Sequence, residues 1–280
     1  MNSKLILVEG LPGSGKSTTA RLFQEILIEE GIKNELYIEG NLDHPADYDA
    51  VSFFTEDEWL QLLNSSCELK EALVNNVEQK DNGYFLSYGK MIYRQGIKIP
   101  DALFNRIFKH DIYELPLEKN IELITNRWAN FASHAIQSDT TYIFECCFIQ
   151  NPVTVGMLKY NATKTTVMNY VQGLEEAIVK LNPIVVYVDQ ADISHSFGNA
   201  VKERPKEWFN GFVEYYTGQG FGKVNGYEDY EGTLKVLEAR KELEAEIFHS
   251  LKVEKVLLDN SAFNKKMFRK RLVEIVKESI

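Results

Sequence analysis

Residues Gly10-Leu11-Pro12-Gly13-Ser14-Gly15-Lys16-Ser17 carry the spacing G-x-x-x-x-G-K-S, the pattern of a phosphate-binding loop. The flanks match what that pattern requires. Before it, Lys4-Leu5-Ile6-Leu7-Val8-Glu9 is a short apolar run suited to a buried parallel strand. After it, Thr18 to Glu30 sets Ala20, Phe23, Ile26 and Leu27 at helical spacing, with Gly31 as the stop. Gly10, Gly13 and Gly15 can reach backbone angles closed to other residues, so successive N–H groups can turn inward as a nest for anionic oxygens. The helix start adds unpaired donors and a positive dipole end. The loop therefore predicts a nucleotide-phosphate site made of Gly10, Leu11, Pro12, Gly13, Ser14, Gly15, Lys16, Ser17 and Thr18. Lys16 reaches the β- and γ-phosphates in this reading, and the Ser17 hydroxyl holds Mg²⁺.

Outward from the loop, five β-rich runs stand out: Leu5–Val8, Glu35–Ile38, Thr141–Phe144, Ile184–Val188 and Lys255–Leu258. Helical stretches fill the gaps, the signature of a parallel sheet covered on both faces. The predicted fold is α/β: one three-layer α/β/α domain over residues 1–280, with a doubly wound five-stranded parallel sheet. Residues 45–139 form a helical insertion that makes one wall of the site, with helices over Glu56–Asn64, Glu68–Lys80, Asp101–Lys109 and Leu117–Gln137. Pro100, Pro116 and the turn Asp81-Asn82-Gly83 punctuate it. Residues 197–230 are rich in Gly, Lys and aromatics, including Lys202-Glu203-Arg204-Pro205-Lys206. That composition suits a mobile lid closing over bound phosphates, with an exposed glycine-rich loop as the alternative.

Net charge is −10, which argues against a nucleic-acid partner, since non-specific binding needs a basic surface. The three cysteines, Cys67, Cys146 and Cys147, lack metal-ligand spacing and suggest reduced thiols in a cytoplasmic protein. Cys146 and Cys147 lie in an apolar strand, where packing is the expected role. No signal peptide fits the N-terminus, and no apolar run is long enough for a membrane span.

The loop does not choose the reaction. The chain has no Asn-Lys-x-Asp sequence of the GTPase kind, no Leu-Ser-Gly-Gly signature of transport ATPases and no apolar strand ending in paired acids. The remaining pattern resembles the small-molecule kinases of the P-loop class, in particular the thymidylate kinase and deoxynucleoside kinase group. Five pieces carry the resemblance: Glu9 to Thr18; the strand Tyr142-Ile143-Phe144-Glu145; the strand Val185 to Asp189; Arg204 within Lys202–Lys206; and Val256 to Ser261. The departures are that Glu145 is followed by Cys146-Cys147 rather than arginine, and that the lid lacks a run of arginines. These argue against a thymidylate kinase proper and leave the acceptor open.

The resemblance implies a P-loop NTPase type of fold, ATP and Mg²⁺ as donor and cofactor, and a small-molecule acceptor: a nucleoside, a nucleotide or another metabolite. It implies the last strand and its loop beside the adenine, and many such kinases are homodimers. Glu145 would then hold a water of the metal shell or the acceptor, although a buried structural carboxylate has the same signature. Glu39 and Asp43 are the two candidates for the base that accepts the acceptor proton, and Gly40 and Pro45 favour Asp43 by placing it on a loop. Arg204 is the candidate for an arginine supplied to the transition state. His44, Arg127 and Arg94 are further acceptor-side candidates, each also readable as packing or a surface ion pair. A different class fits the same loop: a nucleotide-binding regulatory ATPase, or switch, that acts on a protein partner and needs no acceptor pocket.

Overall fold

The computed structural model describes residues 2–80, 83–261 and 264–280, without the side chains of Cys67 and Glu203. Asp81 and Asn82 of the expected turn, and the thiol of Cys67, lie outside the described residues. The chain divides into two compact units, Met1–Glu39 with Trp128–Ile280, and Gly40–Arg127. In chain order the elements begin β1 (Leu5–Glu9), α1 (Lys16–Glu29), β2 (Asn34–Tyr37), β3 (Ser52–Phe54), α2 (Glu56–Asn64), α3 (Lys70–Asn75), β4 (Val77–Lys80) and β5 (Gly83–Leu86). They continue with α4 (Asp101–Phe108), α5 (Leu117–Ala135), β6 (Thr141–Glu145), α6 (Gln150–Val153), α7 (Lys164–Ile178) and β7 (Ile184–Asp189). The last are α8 (Ile193–Glu203), α9 (Lys206–Thr217), α10 (Gly220–Val224), α11 (Asp229–Ser250), β8 (Glu254–Asp259) and α12 (Lys265–Ser279).

In the first unit the five predicted runs form one sheet, order β2-β6-β1-β7-β8, with every pair parallel. β1 is central, and all five of its residues are buried, as its unbroken apolar run requires. Leu7 is registered against Phe144 on one side and Val185 on the other. Alternate residues feed opposite faces. Ile6, Val8, Ile143, Val186 and Val188 pack with Phe23, Ile26 and Leu27 of α1 and Leu272, Ile275 and Val276 of α12. On the other face the Phe144 ring meets Trp128 and Phe131 of α5, and Tyr187 meets Phe248 of α11. Each such fully buried aliphatic or aromatic side chain contributes about 1.5–3 kcal/mol. The arrangement, an all-parallel sheet flanked by helices, is compatible with three α/β/α layers. The connections leaving β1 and β7 diverge, toward β2 and β8, which opens a crevice beyond their carboxyl ends.

The second unit departs from the all-helical insertion drawn from the sequence. It contains a three-stranded antiparallel sheet, order β3-β5-β4, beside its helices. The helix expected over Glu68–Lys80 stops at Asn75, and Val77–Lys80 pairs with Gly83–Leu86 instead. Leu69, Leu73 and Val77 recur every four residues, so the apolar spacing runs on past the helix end. Phe54, Trp59, Leu62, Leu73, Leu86, Tyr88, Met91 and Ile107 make this unit's core. Thr55 begins α2 with a capping box closed by Glu58.

The segment 197–230 is helical rather than loop-like. Phe197 is buried, stacks on Tyr230 and meets Phe212 at a tilt, with ring centroids 5.5 and 5.1 Å apart. Two of its glycines serve close backbone approach: a Cβ at Gly220 would lie 2.0 Å from the Leu158 carbonyl oxygen, and one at Gly222 2.1 Å from that of Tyr216. Among the described residues no helix is long and apolar enough to cross a membrane.

Candidate active site

The loop between β1 and α1 has Gly10, Gly13 and Gly15 at φ +141°, +84° and +99°. Gly10 has a second constraint: a Cβ there would stand 2.4 Å from the Val188 carbonyl oxygen. Gly15 is the N-cap of α1, so Lys16 opens the helix. The Lys16 side chain is buried, and its Nζ turns back to donate to the Leu11 carbonyl at 3.0 Å. The Ser14 carbonyl accepts from Asn260 Nδ2 at 2.8 Å and Gln190 Nε2 at 3.3 Å, which ties the loop to the ends of β7 and β8. The Ser14 hydroxyl is buried and has no partner among the described residues. Pro12 is half-buried, and Thr18 is exposed beside Ser17.

Three carboxylates gather at the carboxyl ends of the strands in the same unit. Ser17 Oγ donates to Glu145 Oε1 at 2.6 Å, and the Glu39 N–H reaches Glu145 Oε2 at 3.4 Å. Glu145 is buried and ends β6, while Glu39 is exposed just past β2. Glu9, the last residue of β1, is wholly buried and accepts from the backbone N–H groups of Phe148 and Gln150, both at 2.9 Å. Burial dominates those bonds, and the Glu244 charge adds to it, so the Glu9 carboxyl is pushed up to about 7.

Behind Glu9 lies a buried polar cluster. Arg240 Nε donates to Glu244 Oε1 at 2.6 Å, its Nη1 to the Tyr216 hydroxyl at 2.7 Å and its Nη2 to the Gln150 carbonyl at 3.3 Å. Tyr187 donates to the other Glu244 oxygen at 2.7 Å. Glu9, Gln150, Gln190, Asn260, Arg240 and Glu244 were not site candidates from sequence. Only the strand-terminal position of Glu9 and the loop position of Asn260 hinted at them.

The remaining candidates divide between the units. Asp43 belongs to the second, where it pairs with Lys90 Nζ at 2.8 Å and with Arg94. Those two cations hold its carboxyl down at about 2. His44 is buried there, accepts the Ala46 N–H on Nδ1 at 3.1 Å, and is kept neutral: burial and the Arg127 charge push it down to about 3. Arg127 lies over the Tyr48 ring at 4.6 Å and donates to the His44 carbonyl at 3.0 Å. Its Nε is buried without a partner among the described residues. In the first unit Arg204 is exposed between α8 and α9, over the Trp208 ring at 4.3 Å. The structure thus brings Lys16, Ser17, Glu145 and Glu39 together, and gathers Asp43 with Arg94 and His44 with Arg127.

This arrangement can cradle an anion on backbone N–H groups and a buried ammonium, with a hydroxyl–carboxylate pair alongside. No protein-family model matches the chain, and no curated protein matches it.

Proposed function

We propose that this chain is an ATP- and Mg²⁺-dependent kinase of the P-loop NTPase type, acting in the cytoplasm on a small-molecule hydroxyl or phosphate. One observation carries the reading. A loop of three left-handed glycines ends at a helix whose first residue is the buried Lys16, and the next residue, Ser17, is bonded to the buried acid Glu145. The donor set fits a polyphosphate and a hard divalent cation: loop N–H groups, one ammonium, one hydroxyl and one carboxylate.

In this mechanism the loop amides of Gly13, Gly15, Lys16 and Ser17 and the Lys16 ammonium grip the donor phosphates, with Lys16 leaving the Leu11 carbonyl it holds in the free protein. Ser17 and Glu145 hold Mg²⁺, which when bound neutralises charge on the transferred group. The base for an acceptor hydroxyl is better assigned to Glu39 than to Asp43. A carboxyl held at about 2 by two cations is a weak proton acceptor at neutral pH. Glu39 is exposed and hydrogen-bonded through its backbone to Glu145. The ion pairs of Asp43 suit positioning of Arg94 and Lys90 instead. Arg204, exposed between two helices, is the residue that would neutralise transition-state charge on a lid-like closure of the segment 197–230.

The deciding experiment measures ATP turnover across a metabolite panel with Lys16→Ala as the control. The expected outcome is acceptor-dependent ADP formation that falls at least a hundredfold in the variant. Transfer unchanged by Lys16→Ala would overturn the assignment.

A further inference from the structure

Cys146 follows Glu145 just beyond the end of β6, not inside the strand as the sequence suggests. It stands at φ +71°, a conformation that side-chain-bearing residues rarely adopt. Its Sγ, one carboxylate oxygen of Glu39 and one of Glu145 all lie within 4.8 Å of one another. Ligands around a tetrahedral cation at zinc-like bond lengths stand roughly 3.4–3.8 Å apart, so the three groups need close by only about 1 Å. A separate observation points into the same place. Gln150, more than nine-tenths buried, donates from Nε2 to Glu39 Oε1 at 3.3 Å. Its Oε1 is buried without a partner among the described residues. A half-turn of the carboxamide presents that oxygen to the cluster.

We propose that Glu39, Glu145, Cys146 and Gln150 form a binding site for a thiophilic divalent cation of the Zn²⁺ or Cd²⁺ class. Mg²⁺ takes oxygen ligands and dehydrates reluctantly, whereas a thiolate with carboxylates selects a softer ion. On binding, the Cys146 S–H bond breaks, the proton leaves to solvent, and the sulfur lone pair forms the metal bond; nothing is oxidised or reduced. In the metal-free chain burial holds the Cys146 thiol well above its ordinary range, opposed by the Lys16 charge, so it stays a thiol. Glu145 is shared: a cation on this set draws its carboxylate away from the Ser17 hydroxyl. On the kinase reading such a cation competes with Mg²⁺ and inhibits. That consequence alone rests on the proposed function, and the site itself does not.

The test titrates the purified full chain, without nucleotide, with Cd²⁺ alone and follows the ultraviolet thiolate-to-Cd²⁺ charge-transfer absorption. One equivalent of Cd²⁺ saturates the band in the unaltered chain and in Cys67→Ser and Cys147→Ser, and the band is lost in Cys146→Ser. Glu39→Gln, at an exposed position, weakens Cd²⁺ binding at least tenfold without altering thermal unfolding of the metal-free chain. If Cys146→Ser fails to fold, the Glu39→Gln titration decides. Absence of the band, its survival in folded Cys146→Ser, or equal affinity in Glu39→Gln overturns the proposal. Lys16→Ala separates the two ideas, because it abolishes phosphoryl transfer on the kinase reading and leaves the Cd²⁺ band in place.

Discussion

At the scale of single residues, two carboxylates that looked alike in the sequence have opposite environments. Asp43 is clamped by Lys90 and Arg94, while Glu39 is exposed and bonded through its backbone to Glu145. On the proposed kinase reading, Glu39→Gln should lower kcat by about a hundredfold or more, the scale of a lost general base, and Asp43→Asn by less than about tenfold. Steady-state kinetics on the best acceptor measures both, and a larger loss in Asp43→Asn would restore it as the base. The preference for Asp43 in the sequence came from its loop setting, since Gly40 and Pro45 are visible there. Lys90 and Arg94, forty-seven and fifty-one residues away, are not. The glycines separate in the same manner. Gly10→Ala meets both a left-handed φ and the Val188 carbonyl, whereas Gly31→Ala meets only its φ of +72° with open space around the Cβ. Urea unfolding should show about 1 kcal/mol lost in Gly31→Ala and at least about 3 kcal/mol in Gly10→Ala.

At the scale of elements, α11 crosses behind the strand ends and delivers Arg240 and Glu244, one turn apart, into the core. Both are essentially without solvent exposure. Arg240→Met leaves Glu244 with only the Tyr187 hydroxyl among those bonds, and should cost about 3–5 kcal/mol as a broken buried pair. The double variant Arg240→Met with Glu244→Leu should recover most of that loss, because no charge is then stranded. The urea midpoints of the two variants check this. Elements differ sharply in how legible they were. The three central strands β1, β6 and β7 announce themselves as apolar runs because they are buried on both faces, whereas the edge strands β2 and β8 are mostly half-buried or exposed and show weaker β-rich runs. The hairpin β4–β5 does not, since Val77, Glu78, Gln79 and Lys80 are half-buried or exposed and prolong the apolar spacing of α3. The glycines at 218–226 suggested flexibility. Their need for close backbone approach, at Gly220 and Gly222, depends on partners that local sequence cannot name.

At the scale of the whole molecule, stability should respond to pH through two buried groups of opposite sign. The folded-state value for Glu9, about 7, lies above its ordinary 4.5. The folded chain therefore holds that proton more tightly, and its contribution is complete below pH 4.5 and lost as pH rises to 7, worth about 3 kcal/mol at most. His44 is depressed from 6.5 to about 3, so its contribution is complete above pH 6.5 and lost as pH falls toward 3. Between pH 4.5 and 6.5 the two trends oppose each other. Glu9→Gln should remove the decline toward neutral pH and leave a chain that gains stability across this window, whereas His44→Gln should unmask that decline. Thermal unfolding from pH 4.5 to 7.5 reads both, and unchanged pH slopes in the variants would sink the assignment. Neither group was legible as a titrating one, since burial is a property of the assembled fold. One consequence follows from the Ser14 carbonyl, held by Gln190 and Asn260. On the ribosome the loop at residues 10–17 is made some 250 residues before its second anchor, on the order of tens of seconds at ordinary elongation rates. Its neighbours β6 and β7 also come late, so the central strand leaves the tunnel with both edges unpaired. A strand that is buried along its whole length in the folded chain is thus the one that waits longest for partners, which makes residues 4–9 a natural landing place for a ribosome-associated chaperone.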